Sequence, residues 1–290
     1  MNGFDDLLNY NPAEGQGQQL TKEEYSAMRQ AEREAVFELS DNTALEVAGD
    51  GGKFQQYLDV QSTFDRYSAV NALLIMAQKP DATRVADFDT WKGRGGFIKG
   101  KSDISILERH NYTKEDGSPG IGYNVKKVFD VSQVDTRRMR TPAPTPTRSE
   151  RQILAALISK YPLKITGVDD LPDNQGAMTD LDGSILVRKG MEFSDTFRSV
   201  AYEMACAEVA ADPELSPEQE FSAYSATYML CKKYGADTKQ FSFDNAPSVF
   251  DGMDAQEVKG ELSQIRDAAD AISGRMARQL EKPARSGEAR

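Results

Sequence analysis

The chain has 290 residues, 39% of them hydrophobic and 28% charged, with two cysteines, Cys206 and Cys231. This is a soluble, globular composition with room for two domains, and it excludes a disulfide framework. No apolar run approaches the roughly 20 residues of a membrane span, and the acidic opening MNGFDDLLNYNPAEG lacks the order of a signal peptide, so the expected compartment is the cytoplasm. The net charge of −11 is unevenly spread: −8 over residues 1–50, +4 over 51–140, +2 over 141–160 and −9 over 161–290. A basic segment between two acidic ones permits a polyanionic partner, and equally an ordinary mixed surface.

Residues 1–20, rich in Asn, Gln, Gly and Asp, are expected to be a disordered tail. Thr21-Lys22-Glu23-Glu24 reads as a capping box opening a helix to about Leu45. Gly51-Gly52 breaks the chain. A second helical pattern then runs from Lys53 to Ala77 through Phe54, Tyr57, Leu58, Phe64, Tyr67, Val70, Leu73 and Leu74. Phe88 to Lys101 reads as a short helix and a Gly-rich turn. Ile104–Leu107 and Gly122–Val131 alternate like strands, with turn signals at Asp116-Gly117 and Pro119-Gly120. His110 falls between them, in an expected loop, as an ordinary surface residue.

Proline at every second position from Pro142 to Pro146 allows neither helix nor central strand, so residues 141–148 are expected to be a linker between domains 21–140 and 149–280. Beyond it the pattern gives a helix near Ser149–Lys160 and strands around 163–167, 176–179 and 184–187. Helices follow from Ser194 to about Ala211, from the Ser216-Pro217-Glu218-Gln219 box to Gly235, and from Asp254 to about Leu280. Residues 281–290 read as a second tail. The fold class is α+β: an α+β N-terminal domain and a mainly helical C-terminal domain with a small sheet.

Single-stranded DNA binding needs cations for phosphates and π-faces for bases. The basic segment has both. Trp91, the only tryptophan, sits among Lys92, Arg94, Lys99 and Lys101, and Gly93, Gly95 and Gly96 would let backbone amides approach phosphate. Tyr123, Lys126, Lys127 and Phe129 follow on one strand pattern, with Tyr123, Lys127 and Phe129 sharing parity and one face. The competing reading makes the aromatics core and the lysines a solvated face.

Three ordered blocks resemble the N-terminal domain of the ArdC/LtrC antirestriction family. The first is Phe54-Gln55-Gln56-Tyr57-Leu58 with Phe64-Asp65-Arg66-Tyr67-Ser68-Ala69-Val70-Asn71-Ala72-Leu73-Leu74. The second is Trp91 through Gly96-Phe97-Ile98-Lys99-Gly100-Lys101, and the third Lys127-Val128-Phe129-Asp130-Val131-Ser132-Gln133. The resemblance implies a single-stranded-DNA-binding domain of a plasmid, conjugative element or phage, protecting incoming DNA or supporting its transfer. With the basic segment it makes Arg66, Tyr67, Asn71, Trp91, Lys92, Arg94, Lys99, Lys101, Tyr123, Lys126, Lys127 and Phe129 the candidate DNA contacts.

The family's second domain is a zincin-like metallopeptidase with a His-Glu-x-x-His helix. Residues 197–208 resemble that helix, but Tyr202 and Cys206 stand at the histidine positions, around Glu203. Tyr224 stands where the third ligand, a glutamate, is expected. The expectation is a pseudoenzyme with no metal and no cofactor. Two readings of other classes stay open. One is a divergent metalloprotein using Cys206, Glu203 and Glu220; the other is an acidic DNA mimic that occupies a host restriction or defence protein. Oligomeric state is not legible.

Overall fold

Caps and turns lay out a mixed α+β chain. In the computed structural model, which describes residues 21–139, 147–210 and 215–281, the chain divides into two units. The expected tail 1–20, most of the linker 141–148 and most of the tail 281–290 lie outside the described residues. Among the described residues no helix is long and apolar enough to cross a membrane.

The first unit holds residues up to Ala44 and Leu73–Arg140. Its elements are most of helix α1 (Lys22–Ala48), the end of α3 (Ala69–Gln78), β1 (Val85–Asp87), α4 (Phe88–Gly93), β2 (Phe97–Ile98), β3 (Ile104–Thr113), β4 (Pro119–Asp130) and β5 (Val134–Asp135). Helix α1 opens on the expected box, Thr21 N donating to Glu24 and Glu24 N to the Thr21 hydroxyl. Strands β1, β4 and β3 form an antiparallel sheet in that order, and β2 pairs with β5. The β3–β4 ladder runs from Ile104↔Val128 to Thr113↔Pro119, well past the expected end at Leu107. His110 therefore sits on a strand opposite Gly122, not in a loop. Ile104 to Leu107 are buried, whereas Glu108 to Thr113 are exposed, so half of this hairpin stands clear of the core.

Asp130 closes the sheet. Its carboxylate accepts from the amides of Thr83, Arg84 and Ser132, while its own amide donates to the Gln133 side-chain oxygen. Burial pushes the Asp130 carboxyl upward, but these bonds outweigh it and hold it down at about 2. The block Val128–Gln133, which carries part of the family resemblance, is thus a strand end and its cap.

The second unit holds Leu45–Ala72 and the chain from Thr141 onward. It contains α2 (Gly51–Thr63), α5 (Glu150–Ile158), β6 (Ile165–Val168), β7 (Ala177–Thr179), β8 (Ile185–Arg188), α6 (Phe193–Val209), α7 (Pro217–Tyr234), α8 (Ala246–Val249) and α9 (Ala255–Leu280). Strand β8 pairs in parallel with β6 and antiparallel with β7. Residues 45–72 were expected in the first domain. They cluster with the second because Phe54 of α2 packs on Phe221, Phe243 and Phe250, with ring centroids 5.1, 5.4 and 5.5 Å away. Burying such rings is worth roughly 1.5–3 kcal/mol each, which outweighs proximity in sequence.

The helix expected over 53–77 is two helices. Chain direction changes at Phe64–Ser68, where buried Gln61 donates to the carbonyls of Phe64 and Tyr67 and accepts from the Tyr57 hydroxyl. Ser68 then accepts from the Asn71 amide at the head of α3. The aromatic-Ser-x-x-Asn block is therefore a helix joint. Ser194 does not cap α6 either: Glu192 is the N-cap residue, and the Ser194 hydroxyl accepts from the Asp237 amide.

Candidate nucleic-acid interface

Trp91 lies near the centre of the basic segment and is closed to solvent. Asp87 caps α4 through Thr90 N, which turns Trp91 inward. Its side chain is 0% exposed, and its indole donates to the Phe129 carbonyl at 2.8 Å. A fully buried ring offers no face to a base, so the expected stacking role fails for Trp91. Its contribution is to hold cations. The guanidinium groups of Arg84 and Arg94 lie 5.9 and 5.8 Å from its ring centroid, and Lys92 lies 5.8 Å from the ring of Phe88. The exposed aromatics flanking Trp91 in the chain are Phe88 and Phe97, 52% and 73% open. Neither was singled out by the sequence, although both flank Trp91.

The glycines beside Trp91 do not present amides to a ligand. Gly95 N donates to the Lys92 carbonyl and Gly96 N to the Trp91 carbonyl, both at 2.9 Å. Gly95 has φ +83°, and a Cβ there would stand 2.8 Å from the Arg138 carbonyl. The missing side chain lets residues 138–139 close over the turn. Arg84, Lys92, Arg94, Lys99, Lys101, Arg137 and Arg138 are all exposed in this stretch. Arg137 is paired with Asp135, whose carboxyl is held well below its ordinary value by that guanidinium.

The β4 lysines are committed within the first unit. Lys126 lies 2.9 Å from Asp87 and 2.7 Å from Glu108, and hydrogen bonds to these carboxylates raise its pKa. Lys127 donates to the Ser105 hydroxyl at 2.7 Å and lies 3.5 Å from Glu32 of α1. Tyr123 is partly covered by Phe37 of α1, ring edge to face with centroids 5.8 Å apart, and Phe129 is half-buried. Helix α1 thus occupies the face on which Tyr123 and Lys127 lie. Arg66, Tyr67 and Asn71 fall in the second unit: Arg66 is exposed, Tyr67 packs against Phe64, and Asn71 is buried at the helix joint. Of the expected contacts, Arg94 lies over the Trp91 ring and Lys92 over the Phe88 ring, while Lys99 and Lys101 are exposed further along the same stretch.

In the second unit, Tyr202, Glu203, Arg198, Tyr224, Thr227 and Phe241 line much of an open cleft of about 330 Å³. Tyr202 and Cys206 are hydrogen-bond partners one turn apart on α6, and burial raises both pKa values, the Cys206 thiol to about 12. Glu203 accepts from the Thr179 hydroxyl at 2.7 Å. Tyr202 is turned to Cys206, and the Tyr224 hydroxyl accepts from Ser242 N at 3.1 Å. Among the described residues no three His, Cys, Asp or Glu side chains converge to hold a metal ion. A protonated thiol, two phenols and one carboxylate already bonded to Thr179 do not suit the metal that the zincin resemblance implies.

No family model matches the chain. In sequence it is 24% identical, over an alignment of 313 residues, to the uncharacterized protein pXO2-81 of Bacillus anthracis. The match covers 87% of this chain and 53% of that protein, so the chain spans about half the length of its curated relative. In structure it is similar to two crystal structures of the antirestriction protein ArdC from plasmid R388. The metal-free form gives a TM-score of 0.47 and the Mn(II)-bound form 0.48, each at 16% identity. Both matches cover 73% of this chain, and 86% and 85% of the respective ArdC chains.

Proposed function

We propose that this chain binds single-stranded DNA through its first unit and acts in an antirestriction role for a mobile genetic element, within the cytoplasm. The observation that carries the reading is the surface around Trp91. Residues 84–101 present exposed Arg84, Lys92, Arg94, Lys99 and Lys101 and two open rings, Phe88 and Phe97, with Lys92 lying 5.8 Å from the Phe88 ring. Cations track phosphates and open rings accept unpaired bases, while duplex DNA keeps its bases stacked inside. The three sequence blocks that resemble the ArdC/LtrC family supply the biological setting. Within this reading the second unit is a pseudo-metallopeptidase and serves as a scaffold or protein-binding surface.

Fluorescence anisotropy with single-stranded and duplex oligonucleotides of one sequence, across a salt series, tests the proposal. Tighter binding to the single strand and a steep loss of affinity with salt are expected. Equal affinity for duplex, or no salt dependence, would overturn it.

A further inference from the structure

The outer half of the β3–β4 hairpin carries a second pair of open rings, built on a floor that only glycine provides. His110 faces Gly122 across the ladder, and Tyr112 faces Gly120. A Cβ on Gly122 would stand 2.6 Å from the His110 ring, and one on Gly120 would stand 2.6 Å from the Tyr112 ring. Each ring thus lies over bare backbone of the partner strand. The two rings are neighbours on one face, as residues two apart on a strand must be, with centroids 6.2 Å apart. His110 is exposed, and Tyr112 is 48% exposed.

We infer that the His110–Tyr112 pair is a stacking shelf for unpaired bases of single-stranded DNA. The inference rests on the proposed function of this unit and extends it to residues outside the Trp91 surface. One side of each ring is taken up by its glycine, which leaves the opposite π-face for a ligand. The separation of 6.2 Å, against about 3.4 Å between neighbours in a stacked strand, gives each ring its own base. Glu108, on the same face, is bonded to Lys126 at 2.7 Å, so its charge is offset where a phosphate would pass. The opposite face of β4 meets α1 through Tyr123 and Phe37, which leaves the His110 face as the open side.

The test uses the full chain and two probes of equal length: an oligodeoxythymidine of about 16 nucleotides and its abasic counterpart, which keeps the phosphates and lacks the bases. The variant His110→Ala/Tyr112→Ala is expected to weaken oligodeoxythymidine binding by about 5- to 100-fold, with an unchanged salt slope. Its binding to the abasic probe is expected to stay within about twofold of the parent, because phosphate contacts are untouched. Tyr112→Phe keeps the π-face and is expected to bind like the parent, whereas Gly120→Ala, which displaces the ring, is expected to weaken only the base-containing probe. Parental affinity in the double variant overturns the shelf and leaves the proposed function standing. Equal losses on both probes also overturn the shelf, since the rings would then act through the fold. A parent chain that binds neither probe overturns both readings.

Discussion

The indole of Trp91 donates to the carbonyl of Phe129 at 2.8 Å, tying the short helix α4 to the end of β4. Trp91→Phe removes that donor and puts a smaller ring into a fully buried position. The expected cost is about 1–3 kcal/mol of stability. Oligonucleotide affinity, measured where the variant is still folded, is expected to stay within about twofold of the parent. Denaturant titration beside anisotropy checks this. A variant of full stability with lost affinity would return Trp91 to the binding surface.

The cations divide into exposed ones and ones paired with carboxylates, and salt dependence separates them. Each phosphate contact to a single strand contributes about 0.7 to the slope of log affinity against log salt. Arg94→Ala and Lys99→Ala are each expected to flatten the slope by that amount. Lys126→Ala is expected to leave it unchanged, because Asp87 and Glu108 already hold that ammonium. A slope change for Lys126 equal to that for Arg94 would contradict the assignment.

Acid stability should report on Asp130. Its folded pKa of about 2 lies below the ordinary 3.8, so its contribution is complete above the ordinary value and is lost as pH falls toward the folded one. The depression corresponds to about 2 kcal/mol. Asp130→Asn is expected to be less stable than the parent by that order at neutral pH, with the gap closing between about pH 4 and pH 2. Denaturation at several pH values measures it; a gap that stays constant down to pH 2 would show another cause.

The thiols give a test of the cleft that does not depend on activity. Burial pushes both Cys206 and Cys231 up to about 12, so at neutral pH the reactive thiolate is scarce. Native protein is expected to resist iodoacetamide, read by mass spectrometry, and to be labelled at both positions once unfolded. Rapid native labelling of Cys206 would indicate an ionised thiol. In the same preparation, made without chelator, elemental analysis is expected to find zinc far below one equivalent. Stoichiometric zinc lost on Cys206→Ala would revive the metalloprotein reading.

Much of the secondary structure is legible because it is encoded locally. The helices expected to open near Thr21, Ser149, Ser216 and Asp254 do so, each on a capping box, and the three strands of the second unit lie within two residues of their expected positions. The joint at Phe64–Ser68 is not legible, because the apolar spacing runs through it and the bonds that make it come from Gln61, inside the preceding helix. Residues 45–72 were placed by adjacency, whereas their neighbours are set by rings more than 160 positions away in the chain. For the expected binding segment, composition could not tell which aromatic faces inward. A tryptophan beside lysines looks the same in sequence whether it stacks on a base or anchors a strand. His110 was placed in a loop because the expected strand ended at Leu107 and Pro119-Gly120 read as a turn, and only the ladder shows that Gly120 and Gly122 face Tyr112 and His110.

The two glycine–ring pairs also fix how the hairpin's strands align. Slipping β4 by two residues keeps every side chain on its own face. It would set Tyr112 against Gly122 and His110 against Asn124, or Tyr112 against Ser118 and His110 against Gly120. Either way one ring meets a side chain where it now meets bare backbone. A slip by one residue turns every β4 side chain to the other face and would carry Gly120 and Gly122 away from both rings. The exposed half of the hairpin, which has no core to define its alignment, therefore carries its own register lock, and the single paired state does not depend on the turn at Asp116-Gly117 alone.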